Sequence, residues 1–246
     1  MSAHAPLSAV EIAQVADEIA RTLRGQNVQR VVQSDPETVI LDVRGRGLLL
    51  AASQQHGRLH LLAAKPAGTG EAPPHFCMLL RKHLEGSRLQ HVTPVPGERA
   101  IELGFARADG EALLRLFLYG KAAQLQLVVE GRVLGHIGPA RRVYEALPPP
   151  RPIDPAATSR FPEPPSPAIE QRFTVELAAT QDEVAQQAAL VTLRADEKRL
   201  QRLHAALVKD LDRMTEVPRL RKEADLLLAL AAAAVVQCNE AAWHNA

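Results

Sequence analysis

The feature that most constrains this chain is a cluster of prolines between its two halves. Nine of its 18 prolines lie in the stretch PPPRPIDPAATSRFPEPPSP, residues 148–167. Proline fixes φ and has no backbone N–H, so a long helix or an internal strand is not expected to run through such a stretch. We therefore expect an extended, semi-rigid linker over residues 148–168, which separates a front domain, residues 1–147, from a back segment, residues 169–246.

The front domain has the pattern of one helix followed by many short strands. Ser8 and Glu11 have the spacing of a capping box, and Gly25 ends the helical pattern that follows them. Nine short aliphatic runs come next, separated by Gly, Asp-Pro and Asp-Gly breaks, with a second helix over residues 74–85 among them. The pattern predicts an α+β fold, in which an antiparallel β-sandwich or barrel-like domain carries two helices.

The back segment has the pattern of a coiled-coil helix. Residues 169–217 contain neither proline nor glycine, and Pro218 is expected to break or kink the helix. Apolar residues recur there every seven positions, at Leu193, Leu200, Leu207 and Met214. The matching seam positions are half polar, with Leu190, Glu197, His204 and Leu211. Such a narrow stripe is not stable alone, so we expect a partial coiled-coil arm that self-associates or pairs with a partner helix through residues 184–216.

Composition argues against several classes of protein. The formal net charge is +1, and the front half carries a mild basic excess of 17 Lys and Arg over 14 Asp and Glu. The longest apolar run, residues 226–236, is too short to span a bilayer, and the N-terminus does not resemble a signal peptide. Two distant cysteines make no disulfide framework, which fits a reducing cytoplasm. We therefore expect a cytoplasmic protein without a membrane partner.

The candidate ligands and nucleophiles lack the spacing that metal sites and catalysis need. Cys77 and Cys238 form no CxxC pair, and His56, His60 and His75 make no patterned cluster. Cys77 lies in a helical pattern without a base fixed beside it, where a free cysteine behaves as a small hydrophobe. The sequence therefore predicts no catalytic residue, no metal, no cofactor and no enzymatic activity.

The second helix carries a positive outer face. In PPHFCMLLRKHLEG, residues 73–86, Phe76 and Leu80 share an apolar face, whereas Arg81 and Lys82 lie on the opposite one. From composition alone, a core-packing helix with an ordinary solvated outer face explains these charges better than a binding surface does.

A resemblance favours the binding surface. The stretch PPHFCMLLRKHLEGSRLQHV resembles the most recognisable part of the NFACT N-terminal domain, which is found in fibronectin-binding-protein-like ribosome-quality-control factors. VPGERAIELGF and LLRLFLYGKAAQLQLVVEGRVL resemble further stretches of that domain, and the likeness covers roughly residues 8–138 in order. RLRKEADLLLAL in the back half resembles a stretch of the family's coiled-coil arm.

The resemblance implies a fold and a function. The family's N-terminal domain is similar in shape to that of formamidopyrimidine-type DNA glycosylases, and the family binds tRNA and the large ribosomal subunit on stalled nascent-chain complexes. Its Asp-Arg pair, important for tRNA recognition, appears here as Glu98-Arg99. Arginine grips a phosphate with two parallel donors, so Arg99, Arg81 and Lys82 are expected to line a surface that meets RNA, with Glu98 beside Arg99.

The sequence also departs from the family. A Pro-rich stretch stands where members carry a helix-hairpin-helix module, and neither a descending arm helix nor a C-terminal RNA-binding domain follows. Fewer phosphate contacts imply weaker tRNA binding than in a whole member. The alternative is therefore a shortened interaction module, a degenerate paralogue or fragment, which pairs its helix with a partner chain. An enzyme related to the glycosylases and a surface adhesin are both poorly supported.

Overall fold

The computed structural model describes residues 6–64, 72–108 and 110–243, with the side chains of 180–184 and 235–243 left aside. The chain forms two compact units, Met1–Ala178 and Ala179–Ala246. The first unit contains two antiparallel sheets and two helices, and the second is helical, so the predicted α+β class with a helical C-terminal segment is confirmed.

The first sheet is a four-stranded antiparallel meander. Its strands follow in chain order and are β1 (Val28–Asp35), β2 (Thr38–Val43), β3 (Arg46–Ala51) and β4 (Arg58–Leu62). One row of cross-strand neighbours, Val31, Leu41, Leu48 and Leu61, is buried throughout. Aliphatic side chains packed against each other across strands hold this register, because a slip by one residue would turn the row to the other face.

The second sheet is a five-stranded antiparallel meander. Its strands are β5 (Arg88–Pro94), β6 (Ala100–Arg107), β7 (Gly110–Phe117), β8 (Gln124–Val129) and β9 (Arg132–Ile137). A buried row of Leu103, Leu114 and Leu127 crosses its middle strands. The nine aliphatic runs of the sequence therefore correspond to the nine strands that the described residues form.

Two helices join the sheets into one core. Helix α1 (Ala9–Leu23) begins at the predicted capping box, in which the Ser8 hydroxyl accepts from the Glu11 N–H and the Glu11 carboxylate accepts from the Ser8 N–H. Helix α2 (His75–Leu84) contacts β1 of the first sheet and β6 and β9 of the second. Its buried Phe76 and Leu80 belong to one hydrophobic cluster that takes in both sheets, as an amphipathic helix requires.

The Pro-rich stretch is attached to the domain along its length. The described residues 138–164 have neither helix nor strand, as the prolines predict. However, the Arg151 N–H donates to the Pro96 carbonyl at 2.9 Å, and the Phe161 ring packs against the main core. These contacts order an extended stretch that the sequence pattern describes only as a linker.

The final helix, α3 (Pro165–Trp243), begins inside the first unit. Ile169 and Phe173 are buried in the main core, and the Ser166 hydroxyl accepts a 2.9 Å hydrogen bond from the Leu61 N–H. Burial of these apolar side chains adds the first turns of α3 to the domain, so the first compact unit extends to Ala178 rather than to the predicted boundary at residue 147.

In the second unit, the described side chains of α3 are exposed. The heptad residues Leu193, Leu200, Leu207 and Met214 all stand in solvent. The helix continues without interruption through Pro218, where the sequence predicts a break or a kink. Among the residues described, no helix combines the length with the apolar content that crossing a membrane requires.

Candidate nucleic-acid interface

Glu98 and Arg99 lie in the turn between β5 and β6. The Val95 N–H donates to the Ala100 carbonyl at 2.9 Å, and the Glu98 N–H donates to the Val95 carbonyl at 3.1 Å, which closes the turn. Gly97 has φ of +69°, a conformation that favours glycine. The turn thus fixes both residues of the predicted pair immediately before β6.

The carboxylate of Glu98 faces the protein. The residue is 7% exposed, and Oε2 accepts a 2.8 Å hydrogen bond from the Tyr119 hydroxyl. Oε1 forms an ion pair with Nε of Arg151 at 2.7 Å. Burial and the neighbouring Glu98 carboxylate raise the pKa of Tyr119, so the tyrosine keeps its proton and remains a donor. Glu98 can therefore contribute to RNA recognition only indirectly, by positioning Tyr119 and Arg151.

Arg99 is partly exposed and lies over an aromatic ring. Its guanidinium carbon stands 5.9 Å from the centroid of Tyr119, a cation–π distance. The Tyr119 ring is itself fixed, since it lies 6.3 Å from Phe117 and 6.1 Å from Tyr144. Within the described part of the chain, the Arg99 side chain has no carboxylate partner. Its donors thus remain available on a preorganised support.

Arg81 and Lys82 have different environments, although they are adjacent on α2. Arg81 Nε donates to the Val31 carbonyl at 3.0 Å and lies 3.8 Å from the Glu85 carboxylate, so this side chain helps to hold α2 on β1. Lys82 is exposed and lines a groove together with Arg88 and Arg107. Of the two predicted α2 contacts, Lys82 has the geometry of a surface cation, whereas Arg81 also serves a structural role.

The structure does not bring the four predicted residues into one patch. Lys82 lies near Arg88, where β5 begins, and the Glu98-Arg99 turn follows its last residue, Pro94. A seven-residue strand spans roughly 20 Å, so two separate surfaces are involved.

Several residues at these surfaces were missed by sequence reasoning. Arg151 and Tyr119 approach Glu98, whereas Arg88 and Arg107 line the groove beside Lys82. Arg88 and Arg107 lie at strand ends, where charged side chains are common on any protein surface. Arg151 lies in the Pro-rich stretch, which has no pattern that indicates a binding site. Tyr119 directly precedes the turn at Gly120 and Lys121, and this position alone does not indicate a contact with Glu98 or Arg99.

Cys77 and His60, which the sequence offers as a candidate nucleophile and a candidate metal ligand, are buried side chains of the domain. Cys77 is buried in the core, with Sγ 3.7 Å from the Val31 carbonyl. Burial lowers the pKa of His60 to about 4, although a bond to the Leu61 carbonyl opposes the shift, so the ring is neutral at pH 7. Among the described side chains, no three His, Cys, Asp or Glu residues group as metal ligands do.

Comparison with known proteins decides the family. Residues 8–131, half of the chain, match the family model described as NFACT N-terminal and middle domains. The chain belongs to the NFACT family. These residues include both helices of the domain, the Glu98-Arg99 turn and the cationic groove, so the candidate surfaces lie within the family's own domain.

The relatives are longer proteins. The chain is 34% identical over 79 residues to the Rqc2 homolog RqcH of Bacillus subtilis, covering 30% of this chain and 14% of that protein. It is 24% identical over 144 residues to the Rqc2 homolog RqcH of Streptococcus suis, covering 53% of this chain and 26% of that one. The matches thus span about a quarter or less of these relatives.

Solved structures share the fold of this NFACT domain. The N-terminal part of the fibronectin/fibrinogen-binding protein from Streptococcus suis superposes with a TM-score of 0.51 at 22% identity, covering 63% of each chain. The N-terminal domain of the fibronectin-binding protein PavA from Streptococcus pneumoniae gives 0.52 at 21% identity, covering 62% of this chain and 65% of the other.

Proposed function

We propose that this NFACT chain is a cytoplasmic, non-enzymatic RNA-binding factor of ribosome-associated quality control, which contacts tRNA and the large ribosomal subunit on stalled nascent-chain complexes. Family membership and relatives named Rqc2 homolog RqcH support this proposal. The chain spans only part of those relatives. The contact with tRNA is therefore the primary part of the proposal, and the contact with the large ribosomal subunit follows from binding to the same complex.

One observation carries the proposal: the Arg99 guanidinium lies over the Tyr119 ring without a carboxylate partner among the described residues. An arginine supported in this way can give two parallel donors to a phosphate without first breaking an internal ion pair. Glu98 contributes by holding Tyr119 and Arg151, rather than by meeting RNA itself.

Exchange of Arg99 for alanine tests this proposal. We expect tRNA bound by the intact chain to show salt-sensitive affinity, and Arg99→Ala to weaken it several-fold by removing about one phosphate contact. Fluorescence anisotropy with labelled bulk tRNA at several salt concentrations measures both quantities. Arg132→Ala is the matched control, since it removes an equal charge from an exposed position on β9.

Equal affinity of the wild-type, Arg99→Ala and Arg132→Ala proteins would contradict the role of Arg99. Absence of salt-sensitive tRNA binding by the wild-type chain would contradict the proposed function as a whole. Unfolding curves of each variant distinguish lost contacts from lost structure.

The exposed heptad of α3 favours a second candidate function, that of a module which pairs its helix with another chain. Leu200 and Leu207 are 63% and 55% exposed. A helix that leaves such an apolar stripe in water gains no stability from it, whereas a partner helix would bury the stripe. We expect the chain to self-associate through residues 184–216 at micromolar concentration, and Leu200→Asp with Leu207→Asp to abolish this.

Sedimentation velocity over a concentration series measures the association. A double substitution at two exposed neutral positions of the same helix, Gln187→Asp with Gln201→Asp, adds the same two negative charges and is the control. A wild-type chain that stays monomeric at high concentration would argue against self-association.

A further inference from the structure

A groove runs beside Arg88, where α2 ends and the second sheet begins. It encloses about 440 Å³ and is lined by Lys82, His83, Arg88, Arg107 and polar neighbours that include Asn27 and Gln90. We call it the Arg88 groove. A second depression of about 390 Å³ shares Arg88 as a wall and adds Arg24 and His91. Cations from α1, α2, β5 and β6 or their adjoining turns thus meet at one end of the domain.

The charge of the Arg88 groove is locally positive. Among the described lining residues, Lys82, Arg88 and Arg107 face one carboxylate, that of Glu85. That carboxylate is already engaged, because Oε1 of Glu85 accepts from the Val31 N–H at 3.0 Å and stands 3.8 Å from Nε of Arg81. In a chain whose net charge is +1, this concentration of cations raises the local potential without raising the overall charge.

The backbone holds the walls of the groove in place. Both helices end near the groove at glycines of positive φ, Gly25 at +80° and Gly86 at +82°. Their N–H groups donate across to the Leu89 and Val28 carbonyls, at 2.7 and 2.8 Å. The strand ends are also joined directly, by a bridge between Asn27 and Arg88. The cations therefore project from a cross-linked framework, which lowers the cost of ordering them around a ligand.

Two cations show no internal ion pair. Lys82 and Arg88 are exposed, and neither has an ion-pair partner among the residues described. Arg107 is held differently, with Nη1 2.9 Å from Nδ1 of His83, and both side chains line the same groove. One oriented guanidinium and two unpaired cations give the donors that adjacent phosphates accept.

We propose that the Arg88 groove binds the phosphate backbone of RNA, as a second contact beside Arg99; the inference rests on the proposed tRNA binding. The lining favours a sugar–phosphate chain over an acidic peptide. Its apolar side chains are limited to Ala106 and Ala108 among the described lining residues, so it lacks the apolar pocket that anchors a protein partner. Asn27 and Gln90 offer amides to ribose hydroxyls.

The distance between the two contacts makes the proposal specific. Strand β5 separates the Arg88 groove from the Glu98-Arg99 turn by roughly 20 Å, which corresponds to about six phosphates of one strand when measured along the axis of a duplex. A structured tRNA can reach both surfaces, whereas an RNA of three nucleotides can occupy only one. The two surfaces should therefore contribute independently to tRNA binding.

The experiment compares tRNA binding by four forms of the intact chain: wild type, Lys82→Ala with Arg88→Ala, Arg99→Ala, and Arg132→Ala. We expect the groove double variant to bind bulk tRNA roughly tenfold more weakly and to lower the slope of log affinity against log salt by about two. Arg132 lies on β9, three strands from β6, and Arg132→Ala should stay within about twofold of the wild type.

The outcomes separate the groove from the proposed function. Loss of affinity in Arg99→Ala with wild-type binding by the groove variant would overturn the groove and leave the function standing. Failure of the wild type to bind tRNA would overturn both. A competition with polyglutamate completes the test: displacement of tRNA at equal charge concentration would mean a general polyanion surface and overturn the assignment to RNA. Combining the groove and Arg99 changes should multiply their separate effects.

Discussion

Two arginines of the Pro-rich stretch pair with buried carboxylates of the domain, and the two pairs differ in how tightly they are built. Arg160 meets Glu11 with Nε at 2.6 Å from Oε1 and Nη2 at 2.7 Å from Oε2, and its backbone N–H also donates to Oε1 at 3.2 Å. Arg151 meets Glu98 through Nε, which lies 2.7 Å from Oε1. The first pair is a bidentate fork and the second a single ion pair.

Solvent exposure separates the pairs further. The side chain of Arg160 is 43% exposed and that of Arg151 is 73% exposed, while Glu11 and Glu98 are 1% and 8% exposed. Water and salt therefore screen the Arg151 pair more strongly. The pair at Glu11, where α1 begins, is therefore the stronger attachment, and the pair at Glu98, beside the surface that we assign to RNA, is the weaker one.

The largest effect is expected where the fork is broken. Arg160→Ala leaves the Glu11 carboxylate buried without its guanidinium, and we expect it to lower the free energy of unfolding by about 2 kcal/mol, less than for a fully buried pair because Arg160 is partly solvated. Urea denaturation followed by circular dichroism measures the change. Arg141→Ala, at an exposed position, is the control and should stay within about 0.5 kcal/mol of the wild type.

The same pair predicts a pH dependence. Burial alone would raise the pKa of Glu11, but hydrogen bonds from Arg160 and the Ser8 N–H outweigh it and lower the pKa to about 2. Since the folded value lies below the unfolded one, the stabilisation is complete above about pH 4.5 and is lost as pH falls toward 2. The difference between wild type and Arg160→Ala should therefore shrink across that range; a difference that persists unchanged at pH 2 would contradict the assignment.

The parts of the fold that the sequence predicts correctly are those set by residues close together in the chain. The capping box of Ser8 and Glu11 and the nine short aliphatic runs are local patterns, and they correctly predicted α1 and the antiparallel strands, although not the order of the strands in two meanders. Glu11, however, also binds Arg160, far along the chain, and no local pattern contains that pairing. The attachment of the Pro-rich stretch was accordingly beyond sequence reasoning.

The candidate site divides in the same way. The resemblance pointed to Glu98-Arg99 because these residues are contiguous, and the structure places both in one turn. Lys82, Arg88 and Arg107 come from three different elements, so only the tertiary fold shows that they share a groove. The inward direction of Glu98 depends on Tyr119 and Arg151, which follow it at long separation, and a motif cannot supply that direction.

The smallest effect is expected at the weaker pair. Arg151→Ala should lower the free energy of unfolding by less than about 1 kcal/mol, because the side chain is mostly solvated and the Glu98 carboxylate keeps its bond from Tyr119. The backbone also holds the segment in place, since the Arg151 N–H donates to the Pro96 carbonyl at 2.9 Å. Urea denaturation of this variant beside Arg160→Ala compares the two attachments directly.

Gly97→Ala tests the backbone attachment at the same turn. A Cβ there would clash with the Arg151 carbonyl oxygen, on a residue whose φ is +69°, so the backbone attachment itself must shift. We expect Gly97→Ala to destabilise the domain more than Arg151→Ala does. If the order were reversed, the ion pair rather than the backbone would hold the segment beside Glu98, and the contrast with the Arg160 fork would fail.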